Sequence, residues 1–270
     1  MRSAVIVVWL LAHALAAAEP TLTLLTWNVL ADPARAGERA PALVRTIAEL
    51  NPDIVALQEV QPWLRAQIDA SPALAHYRGT VVNGKVMAPG GLYLLSRLDV
   101  QSISIEVIPT RLDRCALIAT IDVGAGPPLT LGIVHLDSLP GQDELRVMQL
   151  AAVQRRLAQA PLAALVGDFN FGDADPLESA ALDPGWTDCW RAAMGEDPGL
   201  TWDNERNALA RANAFPEEPS RRLDRVLVRS QRWTPVESRL VGTEAVSALT
   251  PGLFPSDHFG VYVRMIGPMP

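Results

Sequence analysis

Lysine is almost missing from this chain. Lys85 is the only one in 270 residues, and arginine supplies the rest of the positive charge. Acids outnumber bases 30 to 23, giving a formal net charge of −7. A molecule with that balance is not a basic nucleic-acid binder and exerts no strong long-range pull on polyanions, although an acidic enzyme can still act on a phosphodiester. Cysteine is scarce as well. Cys115 and Cys189 form no CxxC and no Cys/His zinc spacing, and they read as two unrelated small apolar residues. There is no HExxH, no three-histidine set, no GxSxG and no GxxxxGK[ST]. Zinc-protease chemistry, a serine nucleophile elbow and Walker-type triphosphate hydrolysis are therefore not expected.

The hydrophobic share, 49 %, is that of a globular protein. The N-terminus reads as an export signal. Arg2 forms a short positive region, "AVIVVWLLAHALA" an apolar one, and "AAAEP" a small-residue cleavage site after Ala18. That apolar run falls short of the roughly 20 residues a membrane span needs and is broken by His13. The expectation is a signal peptide over residues 1–18, then one exported, monomeric domain over 19–270 with no further membrane span.

From Thr21 on, short apolar runs recur. "TLTLLTW", "DIVALQEV", "GGLYLLS", "SISIEVI", "CALIATIDV", "LTLGIVHL", "LAALVGDFN", "LDRVLVR" and "HFGVYVRM" read as strands. "APALVRTIAEL" and "DELRVMQLAAVQRRL" carry helical spacing. The stretch from Asp173 to Ser220, rich in Asp, Pro, Asn and Trp, reads as long loops. Hairpins and strand–helix alternation both occur, which suggests two packed sheets with helices outside.

Several strands end in a polar residue where the apolar run stops. Asn28 follows "LTLLTW", Glu59 follows "DIVALQ", His135 follows "LTLGIV", and Asp168 and Asn170 follow "LAALVG". Asp224 opens "DRVLVR", and Asp257 and His258 precede "FGVYV". Buried acids without partners are costly, so a repeat of this pattern suggests one shared site where strand ends converge. Glu59, with Asn28 and Asp257 beside it, offers hard oxygen ligands suited to Mg2+ or Mn2+. Asp168 can orient or deprotonate a water, and His258 can pair with an acid and stabilise a phosphate. That combination fits metal-assisted hydrolysis of a phosphate ester. Each residue alone has a plainer reading: Asp168–Asn170 as a turn, His135 as a core histidine, Asp224 as a surface ion pair, Trp202 as core.

"TWN", "LQEV", "HLDS", "GDFN", "LDRV" and "SDH", in that order from Leu22 to Val263, resemble the motifs of the endonuclease/exonuclease/phosphatase superfamily with the DNase I-like fold. The resemblance implies a four-layer αββα sandwich of two packed, mainly antiparallel sheets flanked by helices. It implies Glu59 as principal metal ligand with Asn28 and Asp257 as neighbours, and Asp168 on the attacking water. His258 would be the catalytic histidine, held by Asp224, with Asn170 and His135 on the phosphate. "HLDS", "LTWDNERN", "RRLDRVLVR" and "LFPSDHFGV" are most similar to the 5′-tyrosyl-DNA phosphodiesterase branch. That likeness implies Ser138, Trp202 and Arg222 as substrate contacts, with Asp203 and Arg225 beside them. The family's acid two residues after the asparagine is replaced here by Leu30, with Asp32 nearby. The expected function is a metal-dependent phosphodiesterase acting on a nucleic acid or related phosphodiester. A phospholipid or sugar-phosphate phosphatase is the alternative within the fold, and a non-catalytic binding module the alternative outside enzymes.

Overall fold

The computed structural model describes residues 19–79, 89–124 and 126–267. The expected signal peptide lies outside them. In chain order the first elements are β1 (Thr21–Asn28), α1 (Ala36–Leu50), β2 (Ile54–Gln58), α2 (Pro62–Ala70), β3 (Arg78–Gly79), β4 (Tyr93–Ser96) and β5 (Val100–Val107). Then come β6 (Cys115–Ile121), β7 (Leu129–His135), α3 (Asp143–Leu157), β8 (Ala163–Asp168), α4 (Pro176–Ala181), β9 (Thr187–Asp188) and α5 (Cys189–Met194). The last are α6 (Ala208–Asn213), β10 (Asp224–Arg229), β11 (Thr234–Val241) and β12 (Gly260–Ile266).

The strands form two six-stranded sheets, ordered β11-β12-β1-β2-β4-β3 and β5-β6-β7-β8-β10-β9. Each sheet has one parallel pair at its centre, β1 with β2 and β7 with β8, among antiparallel neighbours. Alternation along the strands decides what each face does, because successive side chains point to opposite faces. Leu22, Leu24, Ile54 and Ala56 meet Leu131, Ile133, Ala164, Val166 and Val226 between the sheets, where Cys115 and Cys189 also lie. Leu25, Trp27, Val55 and Leu57 face the other way, onto Leu43 and Ile47 of α1 and Leu64 and Ile68 of α2. Val134, Ala163 and Leu165 take Leu150, Val153 and Leu157 of α3 on the far side. The result is the αββα sandwich.

Three departures from the sequence reading have local causes. β11 was not expected, because this edge strand carries Pro235, Glu237 and Arg239 and shows no apolar run. α2 was not expected either, since it buries only Leu64 and Ile68. The supposed loop region 173–220 holds α4, β9, α5 and α6, all very short. α5 and α6 start at the capping side chains Asp188 and Asn207, which sequence presents as loop-like residues. No described helix is long and apolar enough to cross a membrane.

Candidate active site

The same alternation builds a cleft. Asn28 lies four and six residues beyond Leu24 and Leu22, the intersheet positions of β1, His135 and Asp168 two beyond Ile133 and Val166, and Asp224 two before Val226. All four therefore project between the sheets, at the end where the apolar filling stops. His135 and Asp168 are directly paired across β7 and β8. That approach depends on Gly167, whose φ is +135° and where a Cβ would lie 1.9 Å from the Val134 carbonyl oxygen. Glu59 breaks the alternation by a left-handed turn, φ +65°. The turn is held by a bond from the Val60 amide to the Gly91 carbonyl, 2.9 Å. Gly91 leaves no room for a side chain there, since a Cβ would sit 2.8 Å from Val60 N.

The cleft, about 200 Å³, is lined by Asn28, Glu59, His135, Ser138, Asp168, Asn170, Trp202, Asp257 and His258, among others. At its floor the Asn28 amide donates to Asp168 Oδ2 at 3.0 Å and to Glu59 Oε1 at 3.2 Å. Its own oxygen accepts the Leu30 amide, and the Ala31 amide donates to Glu59 Oε2 at 2.8 Å. On one wall His258 Nδ1 meets Asp224 Oδ2 at 2.7 Å, while its Nε2 lies 3.8 Å from Asp168 Oδ2. The Trp202 ring packs on His258 with centroids 4.9 Å apart. On the other wall His135 Nε2 lies 3.4 Å from Asp168 Oδ2 and 3.9 Å from Glu59 Oε1, and Arg114 Nη1 meets its Nδ1 at 2.8 Å. Asp257 accepts from Asn213 Nδ2 at 2.8 Å and from the Ser256 hydroxyl at 3.2 Å. The Asn170 amide group donates to the Leu136 carbonyl.

These surroundings push the two histidines in opposite directions. Burial works against a charged His258, but Asp224, Asp168 and Asp257 overcome it and hold the ring well above its ordinary pKa. His135 falls to about 4, because burial and the adjacent Arg114 outweigh the carboxylates facing it. Burial raises Asp224 to about 6 and raises Asp257 as well. Burial also works against the charged forms of Asp168 and Glu59, yet both are held below the usual range. His258, His135, Asn28 and the Asn170 amide do this for Asp168, and His135, Ala31, Asn28 and His258 for Glu59.

The donor set fits a hard divalent cation at Glu59. The carboxylate stays ionised, its side chain is 25 % exposed in the cleft, and the Asn28 amide that it shares with Asp168 puts a second ionised oxygen donor beside it. Asp168, Asp224 and His258 bring ligand atoms within 4.8 Å of one another. Their chemistry suits a metal less well. His258 Nδ1 is spent on Asp224, and an imidazolium has no lone pair to give.

Most of the residues expected from sequence meet in this cleft, Ser138 and Trp202 included. Arg222 does not. Its guanidinium is buried away from the cleft between Asp173 and Asp188, with Nη2 2.6 Å from Asp173 Oδ1 and Nη1 2.8 Å from Asp188 Oδ2. Arg225 joins the same cluster at 2.7 Å from Asp173. The Asp203 carboxylate closes a turn by accepting the Glu205 and Arg206 amides. The Asp32 carboxylate accepts the Ala34 amide in an exposed loop. Sequence reasoning missed Arg39, 1 % exposed on α1. It donates to the carbonyls of Val29, Leu30, Asp32 and Ala34 and, across to the other site loop, of Pro255. It also missed Arg114. The available signal was a charge immediately before the apolar strand β6, whose start lies beside the end of β7.

The pattern of the Endonuclease/Exonuclease/phosphatase family matches residues 25–258. Tyrosyl-DNA phosphodiesterase 2 of Xenopus laevis is 31 % identical over 260 residues, covering 90 % of this chain and 66 % of that protein. The protein of the same name from Mus musculus is 30 % identical, covering 89 % of this chain and 65 % of that one. The chain thus spans just under two thirds of the length of these relatives. Among solved structures, Danio rerio TDP2 complexed with a single-strand DNA product superposes with a TM-score of 0.77 at 27 % identity, covering 91 % of this chain and 98 % of that one. A family protein from Bacteroides thetaiotaomicron, 19 % identical with a TM-score of 0.71 over 93 % of this chain and 100 % of that one, shares the fold.

Proposed function

The chain belongs to the Endonuclease/Exonuclease/phosphatase family, and from that premise we propose that it is a divalent-metal-dependent phosphoesterase that hydrolyses a phosphodiester by attack of water. The observation that carries the reading is the facing pair of His258 on the cleft wall and Asp168 at its floor. His258, bound through Nδ1 to Asp224, presents Nε2 to an ionised Asp168 at 3.8 Å. Asp168 accepts a proton or hydrogen bond from the attacking water, while the imidazolium stabilises the negative phosphate oxygens. Asp224 fixes the ring orientation. His135 and Asn170 contact the phosphate, and Ser138 and Trp202 line the substrate wall. Glu59 and Asp257 would hold the Mg2+ or Mn2+, with Asn28 keeping Glu59 and Asp168 in place. A cation bound there would polarise a phosphate oxygen as a Lewis acid.

The substrate in this reading is a nucleic acid or a tyrosyl–nucleic acid linkage. The likeness to Danio rerio TDP2 with its single-strand DNA product supports it. A panel of tyrosyl phosphodiesters, single- and double-stranded nucleic acids, phospholipids and sugar phosphates, each with Mg2+, Mn2+ or chelator, tests it. Metal-dependent cleavage of the first two classes is expected. Turnover confined to phospholipid or sugar-phosphate esters would replace the substrate class, and binding without turnover of any ester would overturn the enzyme reading. We further propose that the protein is exported, on the strength of the signal-like residues 1–18. N-terminal sequencing of the mature protein is expected to start at Glu19, and a mature form retaining Trp9 and Leu10 would sink it.

A further inference from the structure

We propose that Arg114 locks His135 in the Nε2–H tautomer, so that this ring presents Nε2–H to the phosphate as a hydrogen-bond donor and Arg114 acts as a positioning residue. The inference rests on the phosphoesterase reading above and assigns a task to a residue outside the motifs.

A guanidinium carries only N–H donors and no acceptor. Arg114 Nη1 lies 2.8 Å from His135 Nδ1. The imidazole nitrogen in that contact must therefore accept, which leaves the ring proton on Nε2. Nε2 is the atom that faces the cleft, 3.4 Å from Asp168 Oδ2 and 3.9 Å from Glu59 Oε1. Protonating Nδ1 would set one N–H against another beside a full positive charge, so the same contact opposes an imidazolium.

Arg114 is itself held in place. Its backbone amide donates to Thr110 Oγ1 at 3.0 Å. The Thr110 hydroxyl donates to Asp137 Oδ1 at 2.7 Å, and the Arg111 amide to Asp137 Oδ2 at 2.8 Å. The Gln149 amide of α3 donates to the same carboxylate at 2.8 Å. Asp137 is completely buried, and it is the acid of "HLDS". That short motif thus supplies the ring, the anchor of the loop that fixes the ring, and the cleft residue Ser138. His258 is built the opposite way, with a carboxylate on its Nδ1. Both rings turn Nε2 toward Asp168.

The test is 15N imidazole NMR on the full chain at neutral pH without substrate, with His135 assigned by a His135→Gln variant. An unprotonated Nδ1 and a protonated Nε2 are expected in the wild type. Arg114→Ala should release the ring to a tautomer mixture or an imidazolium and lower kcat by roughly 10–100-fold, the range for outer partners of active-site groups. Arg114→Lys, which keeps an N–H donor, should preserve the tautomer and most of the rate. The His258 Nδ1–H resonance reports whether each variant keeps the site folded. An Nδ1–H tautomer or an imidazolium at His135 in the wild type overturns the proposal, as does an unchanged tautomer in folded Arg114→Ala. The wild-type spectrum alone decides if Arg114→Ala fails to fold. Because that spectrum needs no turnover, it also separates this inference from the phosphoesterase reading: a locked tautomer in a protein inert on every ester would sink only the latter.

Discussion

His258→Ala and Asp168→Asn are each expected to lower kcat by roughly 10²–10⁴-fold, the scale for losing a positioned acid or base. Asp168 sits at the crossing of the site, within reach of Asn28 Nδ2 at 3.0 Å, His135 Nε2 at 3.4 Å and His258 Nε2 at 3.8 Å. Its asparagine variant keeps the shape but can neither take a proton nor balance the imidazolium. Removing the His258 ring deletes the cationic donor and leaves Asp224 buried without its partner. Asp224→Asn should cost less than His258→Ala, because Asp224 acts only through the ring. The variant combining Asp224→Asn with His258→Ala should then be little worse than His258→Ala alone, since residues that act as a unit are non-additive. Steady-state kinetics on the best substrate of the panel checks all four. Near-normal turnover by His258→Ala, or effects that multiply as though independent, would remove the pair from the mechanism.

Glu59→Gln should shift the metal requirement more than any other single substitution. The exchange nearly preserves volume and removes the charge. Both carboxylate oxygens accept hydrogen bonds, Oε1 from Asn28 and Oε2 from the Ala31 amide. A glutamine must therefore turn its NH2 toward one of two donors, which adds a local clash to the lost charge. The Mg2+ concentration for half-maximal activity is expected to rise at least about 10-fold, with partial rescue at excess metal. Calorimetric titration of the free protein with Mn2+ should show the same weakening. An unchanged metal titration would mean that another group holds the ion.

The sandwich was legible because its core strands are continuous apolar runs and its two longest helices repeat apolar residues at helical spacing, Leu43 and Ile47 in one and Leu150, Val153 and Leu157 in the other. Most of the cleft was legible for a related reason. Asn28, His135, Asp168 and Asp224 each end or open an apolar strand, and strand alternation alone carries them to the face between the sheets. The failures are also geometric. Arg222 and Arg225 look like site residues because they flank Asp224 in sequence. Within β10 an extended chain sends Arg225, next to Asp224, to the opposite face, where it meets Asp173 and the Phe171 carbonyl, while Arg222 precedes the strand and is turned onto Asp173 and Asp188. Asn213 and, through the Pro255 carbonyl, Arg39 act between segments far apart in the chain, which no local pattern announces, and Arg114 left only the charge before β6 as a sign. β11 stayed hidden because an edge strand is exposed on one side and has no need of an apolar run.

The pairing of β1 with β12, Thr21 opposite Ile266, carries a consequence for how the molecule comes into being. β1 lies between β12 and β2. During vectorial synthesis β2 emerges promptly, but β12 is made after every other described strand. The second sheet draws only on β5 to β10, so it can close while the first remains half built. Until the C-terminal strand arrives, β1 keeps a bare hydrogen-bonding edge, the kind of edge that recruits other chains. The same late segment brings Asp257 and His258. A nascent chain therefore holds most of the cleft early and gains Asp257 and His258 only as β12 zips β1 shut.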